Sequence, residues 1–392
     1  MNKYLSRFFL ALAVFGLAFS CQPPDDPQEP GKPQVPEVIK YRVPALSELT
    51  LEQKVGQLFN IRVENLIGST TAATQETSEL TAAFAQYPCG GFTLFAANIK
   101  DPDQLLVFTK YLHSLGSYPL LCIDEEGGTV ARIGRNANFH VQTFSSMGDI
   151  GASGSLPAAF NAGSAIGSYL FQYGLDVDLA PVADVNSNPN NPVIGKRSFS
   201  SDPDVAADMS SQFLLGLKHE KVEGCLKHFP GHGDTSTDTH TGFADTQKTW
   251  EEMLACEMIP FKKGIQNGAK MVMTAHISCP KLNNGSDVPS TLSSVVLQDK
   301  LRGELGFKGV IITDAMEMGA ITQNYTVEDA AVLAIQAGAD IVLCPGNYPA
   351  VYNYVLSAVR NGNLSEARVD ESVTRILALK KEILKTRGLL EE

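Results

Sequence analysis

Eight short apolar runs punctuate the chain. They read GQLFNIR (56–62), GGFTLF (90–95), PLLCIDE (119–125), DVDLAPVADV (176–185), GCLKHF (224–229), MVMTAHI (271–277), GVIITDA (309–315) and ADIVLCPG (339–346). Most are nearly continuous rather than alternating, the pattern of parallel strands buried on both faces. Longer stretches of helical spacing separate them. Thr50 and Gln53 form a capping box that opens a helix. Thr326 caps another that runs to Ala337 and ends at Gly338, and a closing helix is expected at about 370–385. Eight strand-then-helix units over roughly 340 residues predict an α/β protein, a single (β/α)8 TIM-type barrel with enlarged loops. An open, doubly wound sheet has little support, because no GxGxxG follows an early run.

The amino terminus stands outside this pattern. Lys3 and Arg7 precede an apolar run, Phe8 to Phe19, and Ala18-Phe19-Ser20 leads into Cys21. Small residues before a cysteine, after a short apolar core, resemble a bacterial lipobox. Residues 1–20 then form a lipoprotein signal peptide, and Cys21 becomes the acylated first residue. Seven prolines between Gln22 and Pro44 predict an extended stalk over 21–44. The expected location is the cell envelope, lipid-anchored to a membrane outside the cytoplasm. The catalytic domain then spans 45–392.

Charge and cysteines narrow the function further. A formal net charge of −12 argues against a nucleic-acid partner, whose phosphates need a basic footprint. Six cysteines follow Cys21, none at CxxC spacing. Four of them (Cys122, Cys225, Cys279 and Cys344) lie in or beside apolar runs, where cysteine acts as a small buried hydrophobe.

In such barrels the site forms at the carboxyl ends of the strands. Five runs end in polar chemistry: Asp124-Glu125-Glu126, Asp184 with Asn186, Lys227-His228, His276, and Asp314. The loop KHFPGHGDTSTDTH (227–240) carries three of the seven histidines. Within it Asp238 and His240 are two apart, so in an extended loop they point the same way. The carboxylate can hold one imidazole nitrogen and leave the other for proton transfer. Gly231 and Gly233 are expected to make the turn, and His232 to be structural.

Taken in order, GGFTLFAANI, IDEEGGTVARI, APVADVN, IGKRSF, KHFPGHGDTSTDTH, MTAHI, ITDAMEMGAI and AIQAGADIVL resemble the motifs of family 3 glycoside hydrolases. The branch resembled is the single-domain bacterial β-N-acetylglucosaminidases, over about 45–385. The resemblance implies Asp314 as nucleophile, His240 as general acid/base and Asp238 as its orienting carboxylate. It implies Asp124, Arg132, Arg197, Lys227 and His228 as holders of the sugar's hydroxyls and acetamido group. It implies a retaining exo-β-N-acetylglucosaminidase without a metal or organic cofactor, working as a monomer on a peptidoglycan fragment, chitin oligomer or other glycan. Many relatives take the acid/base from a second domain; here a barrel loop is expected to supply it. One departure is visible: Glu125 stands where this branch often has Gln, which places an extra carboxylate near the sugar. Other readings are a metal-dependent barrel hydrolase using His228, His232, His240 and Asp314, a β-glucosidase-type or phosphorolytic member, and a non-catalytic glycan-binding lipoprotein.

Overall fold

The computed structural model describes residues 39–239 and 244–391. All eight expected strands form: β1 (Phe59–Ile61), β2 (Gly91–Leu94), β3 (Leu120–Ile123), β4 (Val177–Asp178), β5 (Glu223–Phe229), β6 (Met271–Thr274), β7 (Val310–Ala315) and β8 (Ile341–Leu343). Each pairs in parallel with the next, and Phe59 opposite Val342 closes β1 onto β8. The fold is therefore the closed barrel that the apolar runs predicted. Six of the strands stop short of the ends of their runs, whose last residues leave the ladder to build the mouth; β5 and β7 continue to the last residue of theirs. The clearest case is β4, two residues within a run of ten. There Pro181 has no N–H to give a ladder, and pairing resumes only as an isolated bridge from Val182 to Lys227.

Helices shield the barrel. Thr50 accepts the Gln53 N–H while the Gln53 side chain accepts the Thr50 N–H, so the capping box forms and opens Leu51–Gln57. Thr326 caps Val327–Ala337, and Gly338 ends it at φ 126°. The closing helix, Glu366–Arg387, starts four residues earlier than expected, because Ser365 caps it through the Arg368 N–H. Two elements were not foreseen: a π-helix over Val295–Glu304 and a parallel pair, Ala244–Asp245 with Ile277–Ser278, above the strands. All six cysteines of the described residues are free thiols, and the four in or beside the apolar runs are buried.

The barrel unit begins earlier than residue 45. Tyr41 donates its N–H to Leu389 O at 2.8 Å and accepts from the Glu391 N–H at 2.9 Å. Its ring packs on Tyr118 at 4.8 Å. Residues 40–44 thus belong to the folded unit rather than to the stalk. The signal peptide, Cys21 and the rest of the stalk lie outside the described residues. Among the described residues no helix is long and apolar enough to cross a membrane.

Candidate active site

The carboxyl ends of the strands surround a cavity of about 380 Å³, within the usual range for small-molecule sites, roughly 300–1,000 Å³. Asp124, Arg132, Arg197, Lys227, His228 and Asp314 all line it. Six of the eight expected catalytic and sugar-contact residues are thereby gathered from β5, β7 and the loops after β3 and β4.

The base of the site is Asp314. An aspartate ahead of an apparent helix could have been its N-cap. The next helix, however, is Gly319–Thr322 behind Met318, and Asp314 is the penultimate residue of β7, half-buried at the mouth. Its Oδ1 accepts the Ala315 N–H at 2.8 Å, and Oδ2 has no hydrogen bond to the described residues. Burial pushes this carboxyl up. The imidazoles of His228 and His276, the Ala315 N–H and Lys227 outweigh that and hold it below its ordinary value.

One wall is a chain of alternating charges. Arg132 Nη2 approaches Asp124 Oδ2 at 3.4 Å, and Lys227 Nζ donates to Asp124 Oδ1 at 2.8 Å. Lys227 also donates to Glu126 Oε1 at 2.6 Å, and Arg197 grips both Glu126 oxygens at 2.7 and 2.8 Å. Burial opposes the charges of Glu126, Lys227 and Arg197, yet their partners prevail. Arg197 and Lys227 hold the Glu126 carboxyl well below the carboxylate range, and Asp124 and Glu126 hold the Lys227 ammonium above its own. Consecutive strand residues normally face opposite sides, but Lys227 and His228 at the end of β5 both line the cavity.

His228 is held by Asp184, which is fully buried. Its Oδ2 meets His228 Nδ1 at 2.7 Å, and its Oδ1 accepts the His232 N–H at 2.7 Å. His232 reaches Thr235 Oγ1 through Nδ1 at 2.8 Å and Thr239 Oγ1 through Nε2 at 3.0 Å. Both its nitrogens are engaged, so it secures the loop, as expected. His276 lies behind the site, with Nδ1 at 2.9 Å from Thr291 Oγ1 and Nε2 at 3.0 Å from Ala315 O. A metal reading would need His228 and His232, and three of their four ring nitrogens already face Asp184 or threonine hydroxyls.

The 230–239 loop folds over this wall for two local reasons. Gly231 has φ 118°, which favours glycine, and a Cβ there would lie 2.6 Å from Glu257 Cγ. A Cβ on Gly233 would lie 1.8 Å from Val185 O, so only glycine lets the loop approach the end of the β4 segment. Thr239 lines the cavity, and its carbonyl accepts the Ala320 N–H at 3.1 Å. Asp238 sits beside it, part-exposed. His240 lies outside the described residues.

Glu125 requires a correction. It does not line the cavity. Its buried side chain points under the loop that follows β3, where it accepts the N–H groups of Arg132, Ile133 and Gly134 at 2.6, 3.0 and 2.7 Å and the Tyr169 hydroxyl at 2.8 Å. Burial pushes its carboxyl up despite those donors. Of three acids in a row, the first and third face the cavity, as residues two apart in an extended chain do. Sequence reasoning missed Glu126 because it could not tell which of the three turned inward. It also missed the rim residues Arg62, Phe95 and Glu317. Arg62 lies 3.6 Å from the Phe95 ring centroid and bonds Glu317 at 2.6 and 2.9 Å. Arg62 and Phe95 end the first two apolar runs, a signal that was available.

The fold and site together define a (β/α)8 barrel whose cavity at the strand ends holds Asp314 beside a wall of paired cations and carboxylates. The chain matches the family described as glycosyl hydrolase family 3 N-terminal domain over residues 50–379, and it belongs to that family. It is 33% identical over 373 residues to beta-hexosaminidase A of Pseudoalteromonas piscicida, a match that covers 86% of this chain and 62% of that one. It is 35% identical over 258 residues to a beta-hexosaminidase of Nitrosomonas eutropha, covering 65% and 73%. The solved structure of a family 3 beta-N-acetylglucosaminidase from Paenibacillus sp. superimposes with a TM-score of 0.78 at 35% identity, covering 87% of this chain and 63% of that chain. The chain thus spans less than two thirds of the Pseudoalteromonas and Paenibacillus proteins.

Proposed function

We propose that this chain is a retaining exo-β-N-acetylglucosaminidase, lipid-anchored through Cys21. The observation that carries the reading is Asp314, a carboxylate held below its ordinary range whose Oδ2 has no hydrogen bond to the described residues, in the strand-end cavity of a family 3 fold. The names of the similar hexosaminidases support the sugar. Asp314 attacks the anomeric carbon and forms a covalent glycosyl-enzyme while His240 protonates the leaving oxygen; water, activated by His240, then releases the sugar. Asp238 orients His240. Supporting that assignment, Thr239, the residue before His240, lines the cavity. Asp124, Lys227, Arg197, Arg132 and His228 hold hydroxyls and the acetamido group. A carboxylate held below its ordinary range stays ionised at neutral pH, so activity is lost as pH falls through the Asp314 pKa.

The test is hydrolysis of aryl β-glycosides with and without the 2-acetamido group, joined to trapping. The acetamido substrate should be preferred, and a slow fluorinated analogue should label the peptide that contains Asp314. His240→Ala should lose about 10²–10⁴-fold on a disaccharide. It should lose far less in the first step on a dinitrophenyl glycoside, which departs unaided, and azide should restore turnover. A label on Glu125 or Glu317, or equal loss on both substrates without azide rescue, would defeat these assignments.

A further inference from the structure

Glu126 has no part in the mechanism above, yet it is buried where two cavity cations meet. Its Oε1 is shared by Lys227 Nζ at 2.6 Å and Arg197 Nη2 at 2.7 Å, and its Oε2 accepts Arg197 Nε at 2.8 Å. The two-point grip fixes the plane of the guanidinium, which a single bond would leave free to swing. Lys227 has three N–H donors. Two are committed, to Asp124 and Glu126. Arg197 Nη1 gives one bond, to Val193 O at 3.2 Å. Both side chains line the cavity, so the donors left over are the ones a sugar can meet.

Two cations that share one oxygen are close enough to repel strongly where both side chains are this buried. The carboxylate between them is the one group that offsets both charges at once. We propose that Glu126 is a positioning residue: it holds Arg197 and Lys227 as the pair that receives the sugar, and it offsets part of their charge beside Asp314. The inference rests on the glycosidase reading of the cavity and adds to it a residue that touches no substrate. The second half follows from Lys227, which helps to keep Asp314 ionised. With Glu126 neutral, the uncompensated cations hold the nucleophile ionised to still lower pH and make it a weaker base.

The experiment compares wild type, Glu126→Gln and Glu126→Asp on an aryl β-N-acetylglucosaminide across pH, with thermal unfolding measured alongside. Glu126→Gln keeps the shape and loses the charge. Its KM should rise about 10- to 100-fold, the scale of lost charge-assisted hydrogen bonds, and the acid limb of kcat/KM should move to lower pH. Glu126→Asp keeps the charge on a shorter arm. It should return the acid limb to the wild-type position while KM stays raised. A purely structural role would lower the unfolding temperature of both variants and leave the acid limb in place. That result, or a wild-type KM in folded Glu126→Gln, would overturn the inference. Should Glu126→Gln not fold, Glu126→Asp decides: a raised KM at an unchanged unfolding temperature supports the positioning role, and a wild-type KM, or a raised KM that goes with a lowered unfolding temperature, refutes it. A wild-type protein that hydrolyses no aryl glycoside would instead overturn the glycosidase reading, and this inference with it.

Discussion

Lys380 lies in the middle of the closing helix, wholly buried, and its Nζ donates to Gln57 Oε1 at 2.7 Å. Burial lowers its ammonium from an ordinary 10.5 to about 8, with Cys89 and Asp176 opposing that only in part. The unfolded chain therefore binds this proton more tightly than the folded one, and stability must rise with pH across that window. At 1.36 kcal/mol for each pH unit, the charged lysine costs the fold about 3 kcal/mol at pH 7. The cost fades as pH climbs from about 8 to about 10.5. Lys380→Met keeps the length of the side chain and removes the charge. It also orphans the Gln57 carbonyl, a penalty of about 1–3 kcal/mol that does not vary with pH. Urea unfolding of both proteins at pH 7 and 10.5, with reductant present to protect the buried thiols, isolates the effect. Other titrating groups are common to the pair and cancel. Wild type should gain about 3 kcal/mol on the variant between the two pH values. A difference that stays flat or falls would refute the assignment of a burial-depressed lysine.

Glu125→Gln should leave the KM for an aryl N-acetylglucosaminide unchanged while costing about 1–3 kcal/mol in urea unfolding, since one of the backbone donors it now holds would face an amide N–H; a changed KM with unchanged stability would return Glu125 to the sugar site. Gly233→Ala should lower kcat/KM by about 10²-fold, because its Cβ must push the loop off Val185 O and the loop carries Thr239 and His240; wild-type kinetics would mean that the loop gives way at no catalytic cost. Cys21→Ala should abolish membrane partition or processing in cell fractionation, and a processed variant that partitions like wild type would end the lipoprotein reading.

The barrel was legible because its cause is local. Strands buried on both faces must be apolar throughout, so the eight runs are visible one by one, and their number with the intervening helices leaves few ways to close. Asp314 and Lys227-His228 were legible for the same reason: a charged residue that ends an apolar strand marks the mouth. The caps at Thr50 and Thr326 are likewise written within four residues of chain. Direction and partnership were not legible. Whether Asp124, Glu125 or Glu126 faces the cavity depends on how the chain turns after β3, and that turn is set by Gly127 and Gly128 at φ 84° and 67° and by the loop Glu125 anchors from beneath. The Glu126 pairing with Arg197 joins residues 71 positions apart, and the Lys227 pairing with Asp124 joins residues 103 apart. Nothing local to either pair encodes its contact. It exists because barrel closure brings the ends of β3 and β5 together around one cavity, where buried charges must find opposite partners. Sequence alone thus determined the architecture and the residue types at its rim; tertiary structure decided which of them meet.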